Sequence, residues 1–282
     1  MQIARLVSPD GGIVLTRVEG DIATPLAECS DRLGSDKLRD MLVDGIDLVD
    51  TAAIGPAFVV EGSVWRSPVQ TPGKIIAVGL NYVDHAREAN LDLPSRPMIF
   101  AKYATSIIGH REPIRFRESD SAQVDYESEL GVVIACRTRN ISTERALQSV
   151  FGYTLCNDVS ARDAQFGDGQ FTRGKSFDTF CPIGPHIVTA DEIEDPQRLT
   201  IRARVNGTTV QDSSTSEMIF SVAEIISYLS RFMTLEPGDF IATGTPAGVG
   251  MAKKPPRYLR DGDLVEMELE GVGMLTNPVE VV

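Results

Sequence analysis

The sequence predicts a mixed, mostly β fold. Two observations carry this reading: segments with strand periodicity outnumber those with helical spacing, and strands and helices lack the regular βαβ rhythm of a doubly wound parallel sheet. A chain of 282 residues, 42% hydrophobic and 24% charged, is long enough to bury a substantial core in one large domain, or in one large and one small.

Taken in order, Gln2 to Val7 and Gly12 to Val18 alternate in polarity and are split by the turn Asp10-Gly11-Gly12, so the first 64 residues read as a small β-rich N-terminal domain with a helix near Ser35 to Val43. Residues 65–73, with two prolines and a glycine, read as a linker without regular structure. The main domain then spans 74–282. Its first strand, Lys74 to Val78, is continuously apolar and ends at Gly79, as a buried strand should. Leu130 to Ala135 and Phe151 to Cys156 are two further apolar strands. Ser142 and Thr143 are placed to cap a helix from Glu144 to about Phe151. Leu199 to Val205 alternates strictly and turns at Asn206-Gly207 into Thr208 to Val210, which is a hairpin signature. Ser221 with Glu224 forms a capping-box pattern ahead of Ala223, Ile225, Ile226, Leu229 and Phe232. Asp261-Gly262-Asp263 opens a last strand, Leu264 to Leu269.

A formal net charge of −13 disfavours nucleic acid and anionic membrane surfaces as partners, since both demand a basic patch. No apolar run approaches the roughly 20 residues of a membrane span, and Met1-Gln2-Ile3-Ala4-Arg5 has no signal-peptide pattern, so a cytoplasmic location is expected. The four cysteines, Cys29, Cys136, Cys156 and Cys181, are scattered and mostly in apolar settings. They read as core thiols, with no disulfide expected.

Chemistry concentrates in a few places. Glu127 and Glu129 sit one residue apart just before a strand, where positions i and i+2 share a face. On an isolated edge strand that spacing is a solvated face. In an apolar segment, two adjacent carboxylates call for a cation. Asp158, in Asn157-Asp158-Val159-Ser160-Ala161-Arg162-Asp163, falls at the end of a second apolar strand. Three carboxylates without cysteine or histidine make a hard oxygen site suited to Mg²⁺, Mn²⁺ or Ca²⁺, and a site that leaves room for water and substrate favours Mg²⁺ or Mn²⁺. His85, one of three histidines, follows the strand ending at Gly79 and lies three residues before Glu88; on a helix the two share a face. That is the arrangement of a general base with its partner, and equally of a surface charge pair. Lys102 ends the apolar run Met98 to Ala101, and Lys175 follows Arg173-Gly174. Each is an ordinary lysine or a partner for a substrate carboxylate. The loop Thr243 to Gly250 lacks the phosphate-binding fingerprints, but its backbone N–H groups and the Thr245 hydroxyl suit a carboxylate or an oxyanion.

The series GLNYVDHARE, PMIFAKYATSIIG, DYESELGVVI, NDVSARDAQ, RGKSFDTFCPIGP and GTPAGVG resembles the fumarylacetoacetate hydrolase superfamily in composition and order, from Lys74 to about Val282. The resemblance implies a rolled, mixed β-sheet core, a smaller N-terminal domain, a homodimer, and one Mg²⁺ or Mn²⁺ per subunit. It implies Glu127, Glu129 and Asp158 as metal ligands and His85 with Glu88 as the dyad that activates water or moves a proton. Lys175 would be catalytic or substrate-binding, Gln165 and Lys102 would line the site, and Thr245 would hold the substrate carboxylate. The superfamily's chemistry centres on an enolate beside a 2-oxo acid. With both His85 and Glu88 present, the expected activity is metal-dependent hydrolysis of a C–C bond in an acylpyruvate or 2,4-diketo acid, giving pyruvate and a carboxylic acid. The alternatives are decarboxylation of an oxaloacetate-type acid and isomerisation of a 2-hydroxyhepta-2,4-diene-1,7-dioate. A structural ion in a metabolite-binding module leaves His85, Glu88, Lys175 and Thr245 without a reason to converge. The glycine-rich segment 166–174 reads as a lid, in which Arg173 either reads the distal end of the substrate or faces solvent.

Overall fold

The computed structural model describes residues 1–32 and 34–282. It is mostly β. A 12-stranded sheet runs in the order Phe58–Val59, Ile22–Cys29, Ile13–Glu19, Gln2–Val7, Cys181–Thr189, Val150–Asn157, Ser128–Ile134, Phe240–Ala242, Ile75–Gly79 and Met98–Lys102, with Trp65–Arg66 and Ile107–Ile108 paired off that path. The sheet is mixed: Phe240–Ala242 runs parallel to Ile75–Gly79, while Ser128–Ile134 is antiparallel to both of its neighbours. A five-stranded sheet, ordered Thr208–Ser214, Thr200–Val205, Leu264–Leu269, Gly273–Val281 and Ile114–Phe116, packs against it.

Ser128–Ile134 is buried along its whole length, which explains its continuous apolar sequence. Side chains alternate across it: Leu130, Val132 and Ile134 enter the core shared with the helix Val222–Phe232 and the five-stranded sheet, while Val133 enters the core on the other face with Ile75, Ala77 and Phe240. The helix forms as its capping box requires, with Glu224 N–H donating to Ser221 Oγ and Ser221 N–H to the Glu224 carboxylate. It buries Val222, Ile225, Ile226 and Leu229. Each of those side chains contributes roughly 1.5–3 kcal/mol on burial, against about 1 kcal/mol for the cap. The apolar stripe therefore fixes the helix, and the cap fixes where it starts.

Three segments differ from the sequence reading. The helix expected to reach Phe151 is α-helical only over Thr143–Ala146, continues as a 3₁₀ turn over Leu147–Ser149, and gives way at Val150, whose backbone is claimed by the ladder to Ile134. The second hairpin strand extends beyond Val210 to Ser214. The stretch 65–73 contains the strand Trp65–Arg66 and buries Ser67 and Val69 despite its prolines, because Trp65 and Arg66 pair with the first strand of the chain. That first strand also pairs with Cys181–Thr189, so the hydrogen-bonded sheet crosses the expected domain boundary without a break. Of the cysteines, Cys156 and Cys181 are buried as expected, Cys136 is exposed, and all four are free thiols. No helix among the described residues is long and apolar enough to cross a membrane.

Candidate active site

The register of two antiparallel strands assembles the carboxylates. Ser128 lies opposite Asn157 and Glu129 opposite Cys156, and the ladder extends one step further as Asp158 N–H donates to the Glu127 carbonyl at 2.9 Å. Glu127 and Asp158, each just outside its strand, are thereby set across from one another with Glu129 alongside. One carboxylate oxygen from each lies within 4.8 Å of the others, and all three residues are buried.

Their environments are unequal. Lys175 Nζ donates to Glu127 Oε2 at 2.5 Å and to Asp158 Oδ2 at 2.8 Å, Lys102 Nζ donates to Asp158 Oδ1 at 2.6 Å, and Arg162 reaches Glu127 Oε1 at 2.7 Å. Burial works to raise the Glu127 carboxyl, but Lys175 and Arg162 hold it down near about 2. Among the described residues, Glu129 forms no ion pair. It accepts only the Gly244 N–H, at 2.8 Å, and burial together with the charges of Asp158 and Glu127 pushes its carboxyl well above the usual range. A hard, all-oxygen donor set with one uncompensated carboxylate is what a divalent cation such as Mg²⁺ or Mn²⁺ would satisfy. The residues fit that group.

Lysine placement depends on backbone crowding. Ala161 N–H donates to the Gly174 carbonyl at 2.7 Å, and a Cβ on Gly174 would meet the backbone of Gln165 and Ala161, so only glycine lets this segment come close enough to deliver Lys175. Lys102, at the end of the strand Met98–Lys102, is buried and also donates to the Lys175 carbonyl. Burial alone would depress its ammonium, yet Asp158 keeps it raised.

On the same cavity, the helix Val83–Glu88 begins just beyond the strand Ile75–Gly79 and carries His85, with Nδ1 3.3 Å from Glu88 Oε2. Its position is set by the loop Thr243 to Gly250. Gly248 N–H donates to both oxygens of Glu88 at 3.0 Å, and Asp84 Oδ1 accepts from Ala247 N–H at 3.3 Å while its other oxygen accepts from Ser213 Oγ at 2.6 Å. Gly248 has φ +107°, and a Cβ there would strike the Val210 carbonyl, so the loop's approach to Glu88 requires glycine. Burial raises the Glu88 carboxyl, but the bonds from His85 and Gly248 outweigh it and leave it lowered.

His85, Glu127, Glu129, Asp158, Gln165, Lys175 and Thr245 line one cavity of about 330 Å³. Two of the expected site residues stand one layer back. Glu88 lies behind His85, and Lys102 is not on the wall because its ammonium is spent on Asp158 and the Lys175 carbonyl. The Thr245 hydroxyl donates to the Ser128 carbonyl at 3.1 Å and accepts from Gln211 Nε2 at 2.8 Å. Arg173 pairs with Asp168 through two bonds of 2.6 Å and is not on the cavity wall.

Sequence reasoning missed four residues that hold this arrangement. Arg162 bridges Asp125 and Glu127; its signal was its position four residues after Asp158 in the same polar run. Asp125 is fully buried and accepts from Tyr126, Gly250 and Met251 N–H groups, tying the carboxylate strand to the end of the loop. Gln211 and Asp84 are ordinary polar residues in sequence, and only tertiary contact gives them their place.

Comparison with known proteins bears on this geometry. A family model described as fumarylacetoacetate (FAA) hydrolase C-terminal matches residues 74–280. A mitochondrial oxaloacetate tautomerase of Xenopus laevis is 49% identical over 215 residues, covering 76% of this chain and 67% of that protein. Among solved structures, a fumarylacetoacetate hydrolase from Exiguobacterium antarcticum superposes with a TM-score of 0.88 at 38% identity, covering all of both chains. A 2-hydroxyhepta-2,4-diene-1,7-dioate isomerase from Mycobacterium marinum superposes with a TM-score of 0.81 at 37% identity over 100% of this chain and 98% of that one.

Proposed function

The chain belongs to the fumarylacetoacetate hydrolase family, and from that premise we propose that it is a metal-dependent enzyme moving a proton on a small 2-oxo acid, as a keto–enol tautomerase or diene isomerase. The observation that carries this reading is the buried cluster of Glu127, Glu129 and Asp158 lining one cavity with His85, whose ring Glu88 holds. The names of the tautomerase and isomerase relatives support proton transfer over the C–C hydrolysis expected from the sequence. A Mg²⁺ or Mn²⁺ held by Glu127, Glu129 and Asp158 would supply Lewis acidity to the 2-oxo group and carboxylate of the substrate.

In this reading His85 takes or returns the proton on the carbon beside the 2-oxo group, and Glu88, fixed by the Gly248 N–H, orients the ring and steadies its protonated form. Lys175 and Gln165 bind the substrate from the cavity wall, Thr245 holds its carboxylate by turning its hydroxyl proton away from the Ser128 carbonyl, and Lys102 supports Asp158 from behind. The site works in a homodimer, one metal to each subunit.

The His85–Glu88 pair also favours a second reading. If water reaches the carbonyl two carbons along, the same base activates it, and an acylpyruvate or 2,4-diketo acid is hydrolysed to pyruvate and a carboxylic acid. Incubation of Mn²⁺-loaded protein with enol oxaloacetate and with an acylpyruvate, following enol absorbance, pyruvate, CO₂ and the released acid, separates these outcomes. Loss of enol absorbance without pyruvate, abolished by EDTA, is the expected result. Pyruvate plus an acid from the acylpyruvate would install the hydrolase, pyruvate plus CO₂ a decarboxylase.

A further inference from the structure

The cavity has two chemically distinct walls. One part of the lining is made of the carboxylates with Lys175 and Arg162; another is made of Leu80, Leu91, Met98, Phe100, Phe166 and Phe171. The walls meet where Lys175 Nζ lies 5.3 Å from the centre of the Phe100 ring. From there the apolar side continues through Phe171, in edge contact with Phe100 at 5.6 Å, and Met98, which shares a strand face with Phe100. It ends at solvent, where Leu91, Met98 and Phe166 are all exposed.

Among the described residues, no lysine or arginine lines that apolar part of the cavity to receive a second carboxylate. Among the described residues lining the cavity, the lysine and the arginine are Lys175 and Arg162, and both are committed to carboxylates. The basic residues nearby in sequence, Arg87, Arg96, Arg173, Lys253 and Arg257, do not line the cavity, and Arg173 is paired with Asp168. An anion placed against Phe100, Phe171 and Met98 would lose its water without gaining a partner, whereas an alkyl or aryl group there gains roughly 25 cal/mol per Å² of buried surface.

We propose that the substrate is a 2-oxo acid whose distal substituent is apolar and uncharged, and that Met98, Phe100 and Phe171 determine this specificity. The inference rests on the 2-oxo acid reading of the charged wall. It separates this chain from an enzyme built for a dicarboxylate, whatever reaction follows.

The test compares the enol forms of phenylpyruvate and oxaloacetate, which share the 2-oxo acid head and differ at the far end. Wild-type kcat/KM for phenylpyruvate is expected to exceed that for oxaloacetate by about tenfold or more, in the range that apolar pocket contacts supply. Phe171→Arg, at a half-buried rim position, should shift that ratio toward oxaloacetate by at least about tenfold, and Met98→Arg, at an exposed one, should shift it the same way. Calorimetric titration of both acids into Mn²⁺-loaded protein reads the preference without turnover. Tighter binding of oxaloacetate, with a ratio unmoved in both variants, overturns the inference and leaves the 2-oxo acid reading standing. Binding of neither acid removes that reading and the inference with it.

Discussion

Two regions of this molecule bury titratable groups, and they do so in opposite ways. The carboxylate well holds four acids and three cations: charge-assisted bonds join Asp125, Glu127 and Asp158 to Lys102, Arg162 and Lys175, while Glu129 pairs with no cation among the described residues. Around Trp65, by contrast, the rings of His110 and His186 lie 6.2 and 6.3 Å from the indole, centre to centre, and neither ring nitrogen of His186 has a hydrogen-bond partner among the described residues. Burial, reinforced for His110 by Arg111, lowers both imidazoles to about 4. Burial alone therefore does not mark a site. The well is distinguished by charge that is compensated to within one carboxylate and by a cavity that reaches it.

The comparison breaks most visibly at Glu129. Glu129→Gln removes a carboxyl whose charged form burial and its neighbours disfavour, so metal-free protein should unfold at the same or higher temperature while Mn²⁺ affinity collapses and turnover falls by about three orders of magnitude or more. Calorimetric metal titration and thermal unfolding in EDTA check both halves. A destabilised variant that still binds Mn²⁺ would mean that Glu129 is a structural acid. Next in size, His85→Ala should lower turnover by about 10² to 10⁴ while metal affinity persists. Full activity in that variant would remove His85 as the base. Lys102→Met tests the compensation itself. It leaves Asp158 with Lys175 alone and should cost about 3 kcal/mol of stability in chemical denaturation, as breaking a buried ion pair does. A loss within about 0.5 kcal/mol, the usual range of surface substitutions, would show that Lys102 carries no compensating charge.

The same contrast explains what was legible in the sequence. Glu127, Glu129 and Asp158 announced themselves because strand alternation and strand ends are local properties, and a carboxylate in an apolar run has few readings. His85 and Glu88 followed from helical spacing in the same way. Arg162, Asp125, Gln211 and Asp84 did not, because their partners lie on other elements: Asp125 is joined to Gly250 across 125 residues and Gln211 to Thr245 across 34. The prolines between 65 and 73 argued locally for a linker, but the pairing of Trp65–Arg66 with the first strand overrode them. The helix expected to reach Phe151 stopped short for a similar reason, since the ladder to Ile134 outcompetes the cap at Ser142, whose side chain makes no capping bond.

The smallest effect belongs to the histidine pair, and its sign is fixed by linkage. His186 is 8% exposed and its folded pKa lies below the ordinary histidine value, so between about pH 6.5 and 4 the unfolded chain binds the extra proton. Its contribution to stability is present above pH 6.5, declines as the pH falls to 4, and is constant below that. His186→Leu conserves approximate volume and removes the titration. At pH 7 the variant should lie within about 1.5 kcal/mol of wild type; at pH 4.5 the difference should move in favour of the variant by about 2 kcal/mol. Chemical denaturation of both proteins at the two pH values measures this directly. Carboxylates titrate in the same window, but they are common to both proteins and cancel in the difference. Parallel losses in wild type and variant would mean that His186 finds a partner for its proton, and the region around Trp65 would then resemble the carboxylate well rather than contrast with it.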